Sequence, residues 1–204
     1  RVERLYCEQK MQLKNRTMRR KYKVAKRTAH LITDKPNEWL AVDFVIDSVG
    51  YKRPLKSLTV IDPVTKIVPT INPSFAMKGH NVAEVLQSVW DNQGEFKYLQ
   101  TDNGPEFRST DLMKWCKNHN VVQVFSRPGK PTDNCYIESF NRVFREECLN
   151  VYYFSNLSEA REIIEQWRID YNENRPQYKL HGLTPSQFRN KLLCEKTLFS
   201  FGRF

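Results

Sequence analysis

No stretch of this 204-residue chain holds 18 or more consecutive apolar residues, so the sequence offers no helix for crossing a membrane. The opening Arg1-Val2-Glu3-Arg4 is charged, has no apolar signal core and no initiator Met, which reads as a piece of a longer protein. Cysteine is sparse and scattered. Cys7, Cys116, Cys135, Cys148 and Cys194 never take the C-x-x-C spacing, and His30, His80, His119 and His181 do not group with them. That excludes a zinc cluster or a redox pair and leaves reduced, mostly structural thiols in a cytoplasmic protein. Internal repeats and low-complexity tracts are absent as well. Acids are nearly missing from the first 35 residues, where Glu3, Glu8 and Asp34 face twelve Lys and Arg.

What is present supports a folded, basic domain. Hydrophobic residues make up 40% and aromatics 12%, enough for a core. The formal net charge of +10 calls for a polyanionic partner, because basic groups release counterions from a phosphate backbone. Residues 1–38 read as a basic arm, densest at Arg19, Arg20 and Lys21, which would track the phosphates of a polyanion. A core follows over 39–190 and a tail over 191–204.

The core reads as α/β. Trp39 to Ile46 is a nearly continuous apolar run, as in a strand buried on both faces. Leu55–Ile61 and Ile67–Ile71 are a second and third strand, with the Asp62-Pro63 turn between them, and the short links imply an antiparallel meander. Val82, Val85, Leu86, Val89 and Trp90 recur at helical spacing. Tyr98–Thr101 is a fourth strand, Leu112, Trp115 and Cys116 mark a second helix, and Val121–Phe125 is a fifth strand. After the polar loop of residues 126–134, a helix is expected from Cys135 to Asn150, capped by Asp133 or Asn134, with Ile137, Phe140, Phe144 and Cys148 inward. Another starts at Asn156, with Glu159 at its third position and Ala160, Ile163, Ile164, Trp167 and Tyr171 inward. Pro176 and Pro185 punctuate its end.

Three acids stand out. Asp43 lies inside an apolar strand, where an ionised carboxylate is costly without compensation. Asp102 lies just beyond a strand, at a Thr-Asp-Asn-Gly turn, and strand ends are where α/β sites are built. Glu138 falls in the first turn of a helix. Three carboxylates without His or Cys favour a hard cation, Mg2+ or Mn2+. Two such ions, about 4 Å apart, would suit phosphoryl transfer.

The motifs come in a fixed order. Trp39-Leu40-Ala41-Val42-Asp43-Phe44 resembles the W-x-x-D-F strand of the DDE transposase and retroviral-type integrase family, in particular its bacterial insertion-sequence branch. Asp102-Asn103-Gly104-Pro105-Glu106-Phe107 resembles the second-aspartate motif. Ile137-Glu138-Ser139-Phe140-Asn141 resembles the glutamate helix, and thirty-five residues separate Asp102 from Glu138, as in that family. Tyr171-Asn172-Glu173-Asn174-Arg175-Pro176 and Leu183-Thr184-Pro185-Ser186-Gln187-Phe188 resemble its C-terminal signature. The resemblance runs from Trp39 to Phe188. It implies an RNase H-like fold with a five-stranded mixed sheet flanked by helices. It also implies catalytic, metal-binding roles for Asp43, Asp102 and Glu138, cleavage at element ends, and attack by a freed 3′-hydroxyl on another strand. An upstream helix-turn-helix region, self-association on DNA, and a nucleoid-associated location in a bacterium are further implications. Two positions depart from the pattern: Asp62-Pro63-Val64-Thr65-Lys66 stands where D-D-F-T-R is common, and Gln177 where His is common.

Around the acids, Asn103 and Gly104 are expected to shape the turn that aims Asp102, Gly104 by accepting a positive φ. Arg127, Lys130, Asn141, Arg142 and Arg145 are expected to contact DNA. Trp39, Trp115 and Trp167 read as core. Two other functions fit the same acids: an RNase H-like metal-dependent nuclease without strand transfer, and a DNA-binding protein descended from a transposase but inactive.

Overall fold

The computed structural model describes residues 33–50, 53–127 and 131–201. Five strands form one sheet in the order β3-β2-β1-β4-β5. β1 (Trp39–Val49), β2 (Arg53–Ile61) and β3 (Thr70–Ser74) are the antiparallel meander, and β4 (Tyr98–Thr101) and β5 (Val122–Phe125) add on parallel to β1. β1 is central because it is the strand able to be buried on both sides: Trp39, Leu40, Ala41 and Val42 are all essentially inaccessible.

The period of two along β1 sends alternate residues into two cores. Leu40 and Val42, with Leu58 and Val60 of β2, pack under helices α1 (Gly79–Gln93) and α2 (Thr110–Asn118). Ala41, Val45 and Val49, with Leu55 and Ile61, pack under α3 (Cys135–Phe144) and α4 (Leu157–Glu173). The helices show the stripes expected of them: Val82, Leu86 and Val89 in α1, Ile137, Phe140 and Phe144 in α3, and Ala160, Ile164 and Tyr171 in α4 are buried. Trp39 and Trp115 are buried, and Trp167 packs against the second core.

Several expected boundaries are corrected. The third strand is Thr70–Ser74 rather than Ile67–Ile71. Ile67 and Val68 are buried, but Val68 needs no strand partner. Asn172 of α4 accepts from its N–H at 3.0 Å and donates to its carbonyl at 2.9 Å, and Arg168 donates to the same carbonyl. The helix from Cys135 keeps its α-helical geometry only to Phe144 and widens to a π-turn over Arg145–Leu149, which turns both Cys148 and Leu149 inward. Asn134 holds the cap position of α3 without a side-chain cap bond, and Asp133, the other cap candidate, is engaged by Arg127. Asn156 does cap α4, accepting from the Glu159 N–H at 3.0 Å.

Pro185 opens a helix instead of closing one: α5 runs Pro185–Phe201. Thr184 accepts from the Gln187 N–H and Gln187 accepts from the Thr184 N–H, a reciprocal box with Pro at the first helical position. No helix among the described residues is long and apolar enough to cross a membrane.

Candidate active site

Asp43 points from the middle of β1 toward α3, on the face that carries Ala41 and Val45. Its cross-strand partner is Thr59. Asn141, one turn beyond Glu138 on α3, donates to the Asp43 carboxylate at 2.8 Å, and the Phe44 N–H donates to its other oxygen at 2.8 Å. The Thr59 hydroxyl lies 3.1 Å from the Asp43 carbonyl and 2.9 Å from the Asn141 amide oxygen, and its single proton serves one of them at a time. Asp43, Thr59 and Asn141 thus form one polar network inside an otherwise apolar layer.

The electrostatics of Asp43 report on the other two acids. Burial pushes its carboxyl up, from the ordinary 3.8 to about 6. The bond from the Phe44 N–H opposes that rise, the charge of Asp102 adds to it, the Asn141 bond opposes it, and the charge of Glu138 adds again. The three acids therefore share one electrostatic neighbourhood at the edge where β1 and β4 run parallel. Asp102 follows the last residue of β4 and Glu138 is an exposed residue in the first turn of α3.

No three His, Cys, Asp or Glu side chains among the described residues stand close enough to clasp a single ion. The donor set is nevertheless all oxygen. Like charges that add to the burial-driven rise of one member's pKa are the electrostatic condition that a hard cation relieves.

The turn after Asp102 is built as expected, with one correction. The Gly104 N–H donates to the Asp102 carboxylate at 2.8 Å, and Asn103 donates to the Ser126 carbonyl while accepting from Arg108. Gly104 does not have a positive φ. A Cβ there would lie 2.9 Å from the Asp102 carboxylate oxygen, so a larger residue would shift that side chain.

The residues expected to contact DNA fall into different situations. Asn141 faces Asp43, not outward. Arg142 is exposed on α3. Arg145 donates to the Ile46 carbonyl at 2.9 Å, tying the π-turn that follows α3 to β1. Arg127 holds Asp133 through two bonds, at 2.8 and 2.9 Å, and so joins the two sides of the polar loop. Arg175 pairs with Glu147. Lys130, Arg19, Arg20 and Lys21 lie outside the described residues.

Sequence reasoning missed three supporting residues. Thr59 was legible in principle, since the β1–β2 pairing runs symmetrically outward from Val49–Arg53 and brings it opposite Asp43. Glu106 stands in the Asp102–Phe107 motif, while Lys56 carries no such signal. They form an ion pair, and Lys56 also sits 3.9 Å over the ring of Phe44, which stacks on Phe107. The turn carrying Asp102 is thereby fastened to the hairpin carrying Asp43.

Comparison with known proteins places the chain in a family. Two profiles of the integrase core domain match, one over residues 33–131 and the other over 119–185. The uncharacterized 31.7 kDa protein of insertion element IS407 from Burkholderia multivorans is 40% identical over 191 residues, 94% of this chain and 69% of that protein. Transposase InsF of insertion sequence IS3A from Escherichia coli is 32% identical over 138 residues, 66% of this chain and 48% of that protein. The catalytic core domain of HTLV-2 integrase, solved in complex with magnesium in a trimeric form, is 18% identical with a TM-score of 0.62 over 76% of this chain and 97% of that one, a likeness of fold. With its RNase H-like sheet and this ordered set of motifs, the chain belongs to the integrase core family, in the branch of DDE transposases from bacterial insertion sequences.

Proposed function

We propose that this chain carries the catalytic centre of a transposase that cuts the ends of a DNA element and joins them to a target strand. Asp43, Asp102 and Glu138 are its catalytic and metal-holding residues. The observation that carries this reading is the Asp43 carboxylate, fixed by Asn141 and Phe44 inside the sheet while feeling the charges of Asp102 and Glu138. Mg2+ or Mn2+, as two ions, fits the oxygen donors; when bound, such ions supply an activated attacking oxygen and stabilise the leaving one.

The chain's own residues do the rest. Asn141 and Thr59 keep Asp43 in one orientation. The Gly104 N–H holds Asp102, and the Lys56–Glu106 pair fixes that turn against the hairpin. Glu138, exposed on α3, closes the set from the other side. Double-stranded DNA is the substrate, approached by exposed Arg142 and by the basic segment up to Lys35. Handling two element ends together requires at least two copies, and a cytoplasmic, nucleoid-associated protein is the corresponding setting.

Mn2+ titration by calorimetry, with and without a short duplex, tests the centre. The parent protein should bind Mn2+, and Asp102→Asn should bind it much more weakly. Failure of the parent to bind under both conditions would leave a protein that binds DNA without cutting it. Strand-joining assays then separate a transposase from a nuclease.

A further inference from the structure

The flank of α3 formed by Cys135, Tyr136 and Ser139 does not face Asp43. It is one wall of a cavity of about 800 Å3, closed on the other side by the segment from Arg175 through the short 3-10 turn Tyr178–Leu180. Lys66 projects into it, with its ammonium 4.0 Å from the centre of the Tyr136 ring and donating to the Pro63 carbonyl at 2.6 Å. Lys179 stands close enough for its charge to act on Lys66. Among the described residues neither lysine has an ion-pair partner, whereas Arg175 is neutralised by Glu147. Asp62, whose charge also acts on Lys66, accepts from the Asn37 and Val64 N–H groups and the Thr65 hydroxyl.

One further feature points to a ligand. Tyr178, on the cavity rim, is 99% exposed.

We propose that this cavity takes one unpaired nucleotide of a DNA strand, its phosphate between Lys66 and Lys179 and its base against the ring of Tyr178. Two lysines facing one space without a carboxylate suit a phosphate, which relieves their mutual repulsion. Burial and Lys179 together already depress the Lys66 ammonium to about 8. An exposed aromatic ring beside a phosphate site suits any base, because every base offers a π-face, and the volume lies in the range of small-ligand pockets. A base inside a duplex is already stacked on its neighbours and cannot reach Tyr178. Ser139 borders the cavity and follows Glu138 directly, so the nucleotide held here belongs to a strand passing the acids. The choice of DNA as the polymer rests on the function proposed above; the chemistry of the cavity does not.

The test is binding of fluorescent pentathymidylate and of a short blunt duplex to the parent, Tyr178→Ala and Lys179→Gln. Both side chains are exposed, so the fold should stay intact. Tyr178→Ala should loosen pentathymidylate about tenfold. Lys179→Gln should reduce its salt slope by about 0.7. Duplex binding should be unchanged in both. Thymidine monophosphate should displace the probe where inorganic phosphate at equal concentration does not. Unchanged pentathymidylate affinity in Tyr178→Ala, or equal displacement by phosphate, overturns the proposal. A parent that binds Mn2+ and duplex but no pentathymidylate also overturns it and leaves the transposase reading standing. A parent that binds neither metal nor duplex sinks that reading instead, while the effect of Tyr178→Ala on pentathymidylate still decides the cavity.

Discussion

The two faces of the sheet use the same strands for different ends. Beneath α1 and α2 the layer is largely apolar, from Leu40, Val42, Leu58 and Val60 to the aromatic group of Trp90, Phe96 and Trp115, with buried Thr101 met by Gln123 at its edge. Beneath α3 and α4 the layer is also well packed, but Asp43, Thr59 and Asn141 interrupt it with a hydrogen-bonded network. Adjacent residues of one strand, Leu58 and Thr59, therefore serve stability on one side and geometry on the other. One face fixes β1 in place, and the other can then hold a charge that β1 alone would reject. Substitutions on the two faces should separate stability from activity.

The largest effect is expected from the acids. Asp43→Asn, Asp102→Asn and Glu138→Gln should each lower strand cleavage and joining by about a thousandfold or more, as when one member of a catalytic unit is removed. All three should remain folded by circular dichroism. Near-parental activity in any one would remove that residue from the centre. On the other face, Leu58→Ala should cost about 2–5 kcal/mol in denaturant unfolding, because it empties a site with no accessible surface. The fraction that stays folded should retain its turnover.

Asn141→Ala and Thr59→Val come next. Neither residue is an acid, and both act by orienting Asp43. A loss of about 10–100-fold in activity is expected, the usual scale for residues that orient a metal ligand, with a weaker Mn2+ affinity as the companion readout. Stability should change little beside Leu58→Ala, since about 1 kcal/mol is typical for one hydrogen bond. A large loss of stability with full activity in the folded fraction would show that the network serves packing alone.

This contrast also explains what the sequence made legible. The strands and the helix stripes were readable because each depends on local periodicity, and the three candidate acids each stand in a short motif. Asp43 stood out because a carboxylate inside Trp39–Ile46 contradicts its surroundings. What stayed hidden depends on distant partners. The third strand shifted because Asn172, a hundred residues on, satisfies Val68. Asn141 read as a DNA contact because nothing local says that its amide meets Asp43. Gly104 reads as a positive-φ glycine, whereas its φ is not positive and its N–H holds Asp102. The Thr184–Gln187 box was the exception, a local signal present in the sequence and overlooked because Pro185 read as a terminator.

The smallest expected effect concerns the cost of holding Asp43 in its layer. In the metal-free protein its carboxyl titrates near 6, against 3.8 ordinarily, chiefly because burial disfavours the charge. A folded-state pKa raised in an acid means that the native state binds the proton more tightly than the unfolded chain. Below about pH 4 both states are protonated and Asp43 exerts no penalty. As pH rises from about 4 to 6 the unfolded chain ionises first, and stability falls; above 6 the full penalty applies. Asp43→Asn removes the charge and keeps an amide oxygen that can still accept from Asn141 or the Phe44 N–H. It should therefore raise metal-free stability at pH 7 by about 2 kcal/mol and flatten the decline between pH 4 and 6, as read by urea unfolding. Mn2+ should reverse the order by stabilising the parent and not the variant. If Asp43→Asn is instead less stable than the parent at pH 7 without metal, the carboxylate is already compensated by its neighbours, and the two faces of the sheet differ less than their packing suggests.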